Sequence, residues 1–193
     1  MKDSKITVLT ECAVMVALAF ALSCAKLYEM PLGGSVTVAS MLPIMLIGVK
    51  YGNLVGLGTG FVYSLTQAFQ SLLSANVFPY CETGTTLVIC ILFDYLVPFT
   101  ILGLAGALKN ARFVKKQEIG VYFGMCGVVL LRFICHFITG VVIWKQWAPE
   151  GMGKYLYSLA YNGSFLSLDF AICIVAAILM MRKSEIRKLI NLN

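Results

Sequence analysis

The chain is short of charge: of 193 residues only 12% are Asp, Glu, Lys or Arg, against 60% hydrophobic ones, and the mean hydropathy is +0.87. A water-soluble globule needs a polar skin that this composition does not supply, so lipid is the expected solvent. Histidine is nearly absent too. The single His has no second His, Cys or carboxylate at metal-ligand spacing, so no metal centre is expected. There is no GxSxG, HExxH or P-loop, which argues against hydrolytic chemistry and against ATP hydrolysis by this chain. The seven cysteines show no CxxC or Cys/His spacing and most fall in apolar runs, where thiols pack as small hydrophobes; Cys81 is the one expected to escape burial. No internal repeat splits the chain into similar halves, which weakens a self-sufficient carrier.

What is present in quantity is apolar sequence. Runs bounded by charges and by Gly, Pro and Asn clusters lie at 7–25, 36–49, 53–74, 85–108, 119–145 and 155–181. A bilayer of ~30 Å needs about 20 helical residues per crossing, so the expectation is an all-α integral membrane protein of six transmembrane helices, one bundle over 1–193. The second run would be only ~21 Å long as a helix and carries Pro43, so it should be short, tilted or broken. The first, Val8 to Ala25, is too long for a signal-peptide core and has no convincing cleavage site, so it is kept as a span of a protein expected to begin at Met1.

The net charge of +6 sits in the short connections and therefore reads as topology, not as a nucleic-acid surface. Lys2, Lys5, Lys50, Lys109, Arg112, Lys115, Lys116, Arg182, Lys183, Arg187 and Lys188 fall on one side, and Lys26, Lys145 and Lys154 on the other. That asymmetry predicts cytoplasmic N and C termini. The opposite loops, 26–35, 75–84 and 146–154, are rich in Gly, Pro and aromatic residues and are candidates for a lid over an outward-facing site.

A few polar residues lie inside these runs, where each must be paired or functional. In the fifth run Arg132, His136, Gly140 and Trp144 follow at i,i+4 steps, one face with a gap at Gly140. Ligand binding fits that stripe; so do helix-to-helix bonds by Arg132 and His136 with Trp144 in an interfacial belt. Asp94, beside Tyr95 in the fourth run, is either a structural partner of Arg132 or a carboxylate facing a cationic or hydrogen-bond-donating ligand. The sixth run offers Tyr155, Tyr157, Tyr161 and Asn162 near its start, as ligand contacts or belt residues, and Asp169 two turns deeper with its role open. Ala13, Ala17, Ala21 and Ala25 form a small-residue stripe suited to packing or to docking another membrane subunit, and Gly52, Gly56, Gly60 and Ser64 one suited to packing within the bundle. An intramembrane enzyme using His136 is a further reading, but adjacent Cys135 points about 100° away and makes no nucleophile–base pair with it.

The segments LTECAVMVALAF, GGSVT with SMLPIML, FDYLVPF and, above all, HFITGVVIW with YSLAYNG resemble the thiamine-specific substrate-binding (S) components of energy-coupling factor transporters, the ThiT or YuaJ family. The resemblance implies the six-helix S-component fold, multi-pass in the bacterial cell membrane. It also implies a thiamine site near the outer face. Position by position, it assigns aromatic stacking to Trp144, the imidazole to His136, the pocket glycine to Gly140 and pyrimidine contacts to Tyr157 and Asn162. The family's acidic position, Glu in a well-studied member, is Asp94 here, followed by Tyr95; its Lys in the fifth helix is Arg132. A loop Trp known in one member aligns with Gly34. The resemblance further implies that Ala13 and Ala17 dock a transmembrane coupling subunit, that two ABC ATPases supply the energy, and that thiamine is a ligand, with no cofactor. An S component for hydroxymethylpyrimidine or riboflavin is the nearest alternative.

Overall fold

A computed structural model describes residues 4–192, so Lys2 of the basic set lies outside the described residues. The chain is mostly helical. Helix α1 spans Lys5–Cys24 and begins on Ser4, whose hydroxyl accepts from the Thr7 amide at 3.1 Å. A two-stranded antiparallel hairpin follows, β1 Lys26–Glu29 against β2 Ser35–Thr37, with Tyr28 opposite Val36. This hairpin departs from an all-α expectation and fills the first predicted loop.

Helix α2, Leu42–Tyr51, has 10 residues, about 15 Å by the helical rise, and is shorter than the predicted run because Val36 and Thr37 belong to β2 and Pro43 sits at its start. Gly52, at φ +85°, makes the sharp turn into α3, Asn53–Ser74. Helix α4 runs Gly84–Leu104 and opens on a Thr83–Thr86 capping box. Helix α5 is Gln117–Val142, α6 is Lys154–Met181, and a short α7, Ser184–Leu189, ends the series. The hydropathy reading did not anticipate α7, since its residues are charged.

Among the described residues four helices, α1, α4, α5 and α6, are long and apolar enough to cross a membrane. Helix α3 has the length, 22 residues, but Thr59, Ser64, Thr66, Gln67, Gln70 and Ser71 dilute its hydropathy. Outward faces are largely apolar, with Leu9, Val14, Phe69, Leu130, Leu156 and Leu179 exposed as a lipid-facing surface requires. Ala13 and Ala17 lie exposed on α1 as well. Cys24 and Cys126 are the exposed thiols and Cys81 is half-buried, which corrects the expectation for Cys81: the outward faces of α1 and α5 carry thiols as readily as leucines.

The core sits where α2, α3 and α4 cross. A side chain on Gly56 would run into the backbone oxygen of Gly103, and one on Gly60 into that of Thr100, so the glycine stripe of α3 packs within the bundle. At one end of the molecule, Lys109 Nζ bonds the Asn191 carbonyl at 2.5 Å and the Val49 carbonyl at 3.3 Å, and Arg187 pairs with Glu118 at 2.6 Å. Burial among these groups lowers the Lys109 amine below its ordinary pKa. The hairpin and the connections 75–83 and 143–153 close the other end.

Candidate functional site

The site begins with a fault in a helix. Pro98 has no N–H to give the Asp94 carbonyl, and its ring crowds that oxygen, so a regular turn does not fit there. Residues Ile91–Leu96 take a wider π turn instead, in which the Val97 amide bonds Leu92, five residues back. Asp94 lies on this widened segment.

Its carboxylate gathers three donors. Oδ1 lies 3.0 Å from His136 Nδ1 and accepts from Thr139 Oγ1 at 2.5 Å; Oδ2 accepts from Trp144 Nε1 at 3.0 Å. On the far side of the imidazole, Arg132 Nε donates to His136 Nε2 at 3.3 Å. A nitrogen that accepts carries no proton, so the imidazole is neutral with its hydrogen on Nδ1, aimed at Asp94. Asp94 and Arg132 therefore do not pair directly: the histidine stands between them. The Arg132 guanidinium lies over the Phe99 ring, 4.4 Å from its centroid.

Two readings of the α5 stripe change. Helix α5 stops at Val142, so Trp144 opens a 3₁₀ turn, Trp144–Trp147, and does not continue the helical face, yet its indole still reaches Asp94. Gly140 leaves no gap either. The room of its missing side chain is taken by Ser158 Oγ and, 3.1 Å from the would-be Cβ, by Asn162 Nδ2. The glycine brings α6 close enough for Asn162 Nδ2 to donate to the His136 carbonyl at 3.1 Å and for Ser158 Oγ to donate to the Phe137 carbonyl at 2.9 Å.

These groups line one cavity, open at one side. Of the predicted residues, Asp94, Tyr95, Arg132, His136, Gly140, Trp144, Tyr157 and Asn162 all border it. Tyr155 is 61% exposed and does not. Asp169 also faces the cavity and finds a role: Oδ1 accepts from the Thr37 amide at 2.9 Å and lies 2.8 Å from Thr37 Oγ1, tying β2 to α6.

The hairpin tip covers the cavity. Leu32, Gly33, Gly34 and Ser35 border it, and the Tyr161 hydroxyl accepts from the Gly34 amide at 3.1 Å and donates to the Pro31 carbonyl. A side chain at Gly34 would strike Tyr161 and Phe165, so these rings occupy the place a loop aromatic would need. Of the three expected lid loops, 26–35 and 75–84 reach the cavity, while 146–154 stays outside it.

A whole wall was missed. Gln67, Gln70, Ser71 and Ser74 of α3 border the cavity opposite Asp94, with Ser71 accepting from the Tyr95 hydroxyl at 2.6 Å and Gln67 Nε2 donating to Ser23 at 3.0 Å. Their i, i+3, i+4, i+7 spacing in an apolar helix is the signal that could have found them. Thr139 and Ser158 were passed over because hydroxyls so often bond their own helix. Among the described residues no group of His, Cys, Asp and Glu could hold a metal ion.

The thiamine transporter protein family (Thia_YuaJ) matches residues 9–189. The thiamine transporter ThiT of Bacillus subtilis is 33% identical over 192 residues, covering 93% of each chain. ThiT of Lacticaseibacillus paracasei is 24% identical over 143 residues, 70% of this chain and 67% of that one. A solved structure of ThiT from Listeria monocytogenes superposes with a TM-score of 0.66 at 20% identity, covering 95% of this chain and 98% of that one, which supports the fold. This chain therefore belongs to the thiamine transporter protein family, whose members are transport proteins and not enzymes.

Proposed function

We propose that the chain captures thiamine at the outer face of the bacterial cell membrane, as the substrate-binding component of an energy-coupling factor transporter. The observation that carries this reading is the charge balance around the cavity: Lys26 at its edge is neutralised by Glu29 at 2.6 Å, and two carboxylates, Asp94 and Asp169, then face one guanidinium, Arg132, while His136 is neutral. A monocation built of flat rings closes that balance. Thiamine is one, a cationic thiazolium joined to an aminopyrimidine. Asp94 supplies the counter-charge, Trp144 and Tyr157 supply aromatic faces, and His136 and Tyr95 shape the floor. The Asn162 amide oxygen has no partner among the described residues and accepts from the pyrimidine amine; Gly140 sets the depth at which it does so. Arg132 acts through His136, holding its hydrogen toward Asp94.

In this reading the whole chain is one domain that crosses the membrane six times, with α3 and the whole segment 36–51, β2 through α2, completing the set and both termini in the cytoplasm. The ends of α2 and α4 and the C-terminal segment, which meet around Lys109, carry the basic residues that favour that side. Ala13 and Ala17, exposed on α1, dock the transmembrane coupling subunit, and two ABC ATPases supply the energy this chain has no P-loop to provide. It does not transport alone and engages no nucleic acid.

The test is a titration of the detergent-purified protein with thiamine, read by quenching of Trp144 and Trp147. Saturable quenching at micromolar thiamine or below is expected, and no saturable response rejects the cargo. Tighter binding of the isolated hydroxymethylpyrimidine, or of riboflavin, would reassign it.

A further inference from the structure

A second hollow adjoins the inner cavity at the hairpin tip. It is bounded by Glu29 and Pro31 of the hairpin, by Tyr80 and Trp147 from the two neighbouring connections, and by Tyr157 and Tyr161 of α6. Tyr80 and Trp147 meet edge to face at 5.4 Å, and Tyr157 and Tyr161 lie 5.9 Å apart on the opposite side. Four rings around one carboxylate repeat, at the surface, the chemistry of the inner cavity. Glu29 is ion-paired with Lys26 at 2.6 Å and bonded by Asn76 at 3.3 Å, both at Oε1, so what it offers a ligand is Oε2, which has no partner among the described residues. The two spaces share Leu32, Gly33, Asn76, Tyr157 and Tyr161, so they adjoin at the hairpin tip, which Tyr161 holds.

We infer that this hollow is an antechamber that binds an aromatic monocation weakly before the cation passes under the hairpin tip to Asp94. The ligand class rests on the thiamine reading, and the antechamber adds a site and a step to it. Rings at an exposed site attract a cation weakly, which suits a site that must release inward. The structure also supplies a reporter for each space, since Trp144 borders the inner cavity and Trp147 the outer hollow.

The experiment is stopped-flow tryptophan fluorescence of the full chain mixed with excess thiamine, beside equilibrium retention of labelled thiamine. Two phases are expected: a fast one whose rate rises linearly with thiamine, carried by Trp147, and a slower one that saturates, carried by Trp144. Trp147→Phe should remove the fast phase and keep the slow one. Glu29→Gln, which leaves both reporters in place, should raise the thiamine concentration that half-saturates the slow phase by about threefold. A single phase in the native protein, untouched by either substitution while labelled thiamine is retained, overturns the antechamber and leaves the thiamine reading intact. No retention of labelled thiamine defeats the thiamine reading itself.

Discussion

The two walls of the inner cavity are built on different terms. On the side of α4, α5 and α6, the charged groups are tied into one network: Asp94 receives His136, Thr139 and Trp144, His136 receives Arg132, and the Asn162 amide nitrogen fastens to the His136 carbonyl. On the side of α3 the groups are neutral amides and hydroxyls that bond their nearest neighbours, Gln67 to Ser23 and Ser71 to Tyr95. The reason is the solvent. Inside a bilayer an ion without several bonds is too costly to keep, whereas a neutral amide tolerates one or two. Charge in this protein therefore arrives already organised, so binding a cation there requires little reordering. The locked wall should set affinity and the neutral wall the shape of the space.

The sharpest way to break that contrast is Asp94→Asn. The amide keeps one acceptor oxygen where the carboxylate served three donors, and it leaves the Arg132 charge facing only Asp169. Losing one member of a buried charge network costs about 3 kcal/mol, so thiamine affinity should fall roughly a hundredfold in an equilibrium titration. Affinity of the substituted protein within a few-fold of the native one would mean that the locked wall does not dominate.

Gly140→Ala comes next and tests how the locked wall is assembled. The added methyl meets Ser158 Cβ at 2.8 Å and Asn162 Nδ2 at 3.1 Å, so α6 must shift outward or its side chains must turn. Overpacking of this kind costs about 1–3 kcal/mol, and the apparent melting temperature in detergent should drop together with thiamine affinity. A fall in stability with affinity unchanged would separate the α5–α6 seam from the ligand, contrary to the position of Asn162.

The locked wall is also the part that a reader of the sequence could find. Ionisable residues are rare in apolar runs, so Asp94, Arg132 and His136 stand out without any structure. Their connection did not stand out. The Asp94–His136 contact joins residues 42 apart, and it depends on a π turn that Pro98 imposes and on a helix end at Val142 that lets Trp144 swing in. Periodicity extended α5 through Trp144 because the sequence stays apolar there, and it read Gly140 as an opening because a glycine says nothing of what fills its place. The long helices α1, α3, α4, α5 and α6 were legible from hydropathy to within a few residues, whereas α2 begins six residues later than its run and the charged α7 was not foreseen. The hairpin was not, since four residues pairing with three carry too little alternation to separate from a loop. The α3 wall escaped for the opposite reason to Asp94: its residues are neutral, and Gln and Ser in a helix pass as ordinary.

The smallest expected effect belongs to that wall. Gln67→Ala removes one neutral bond, 3.0 Å from Nε2 to Ser23, and Ser23 keeps its bond to the Phe20 carbonyl at 2.7 Å, so no buried donor is stranded. A neutral hydrogen bond contributes about 1 kcal/mol net, part of which the retained partner recovers, and thiamine affinity should weaken by less than about threefold. The titration used for Asp94→Asn measures it on the same scale. If Gln67→Ala matched the hundredfold loss, the amide would have to grip the ligand in place of Ser23, and the neutral wall would carry binding energy that its bonds in the free protein do not account for.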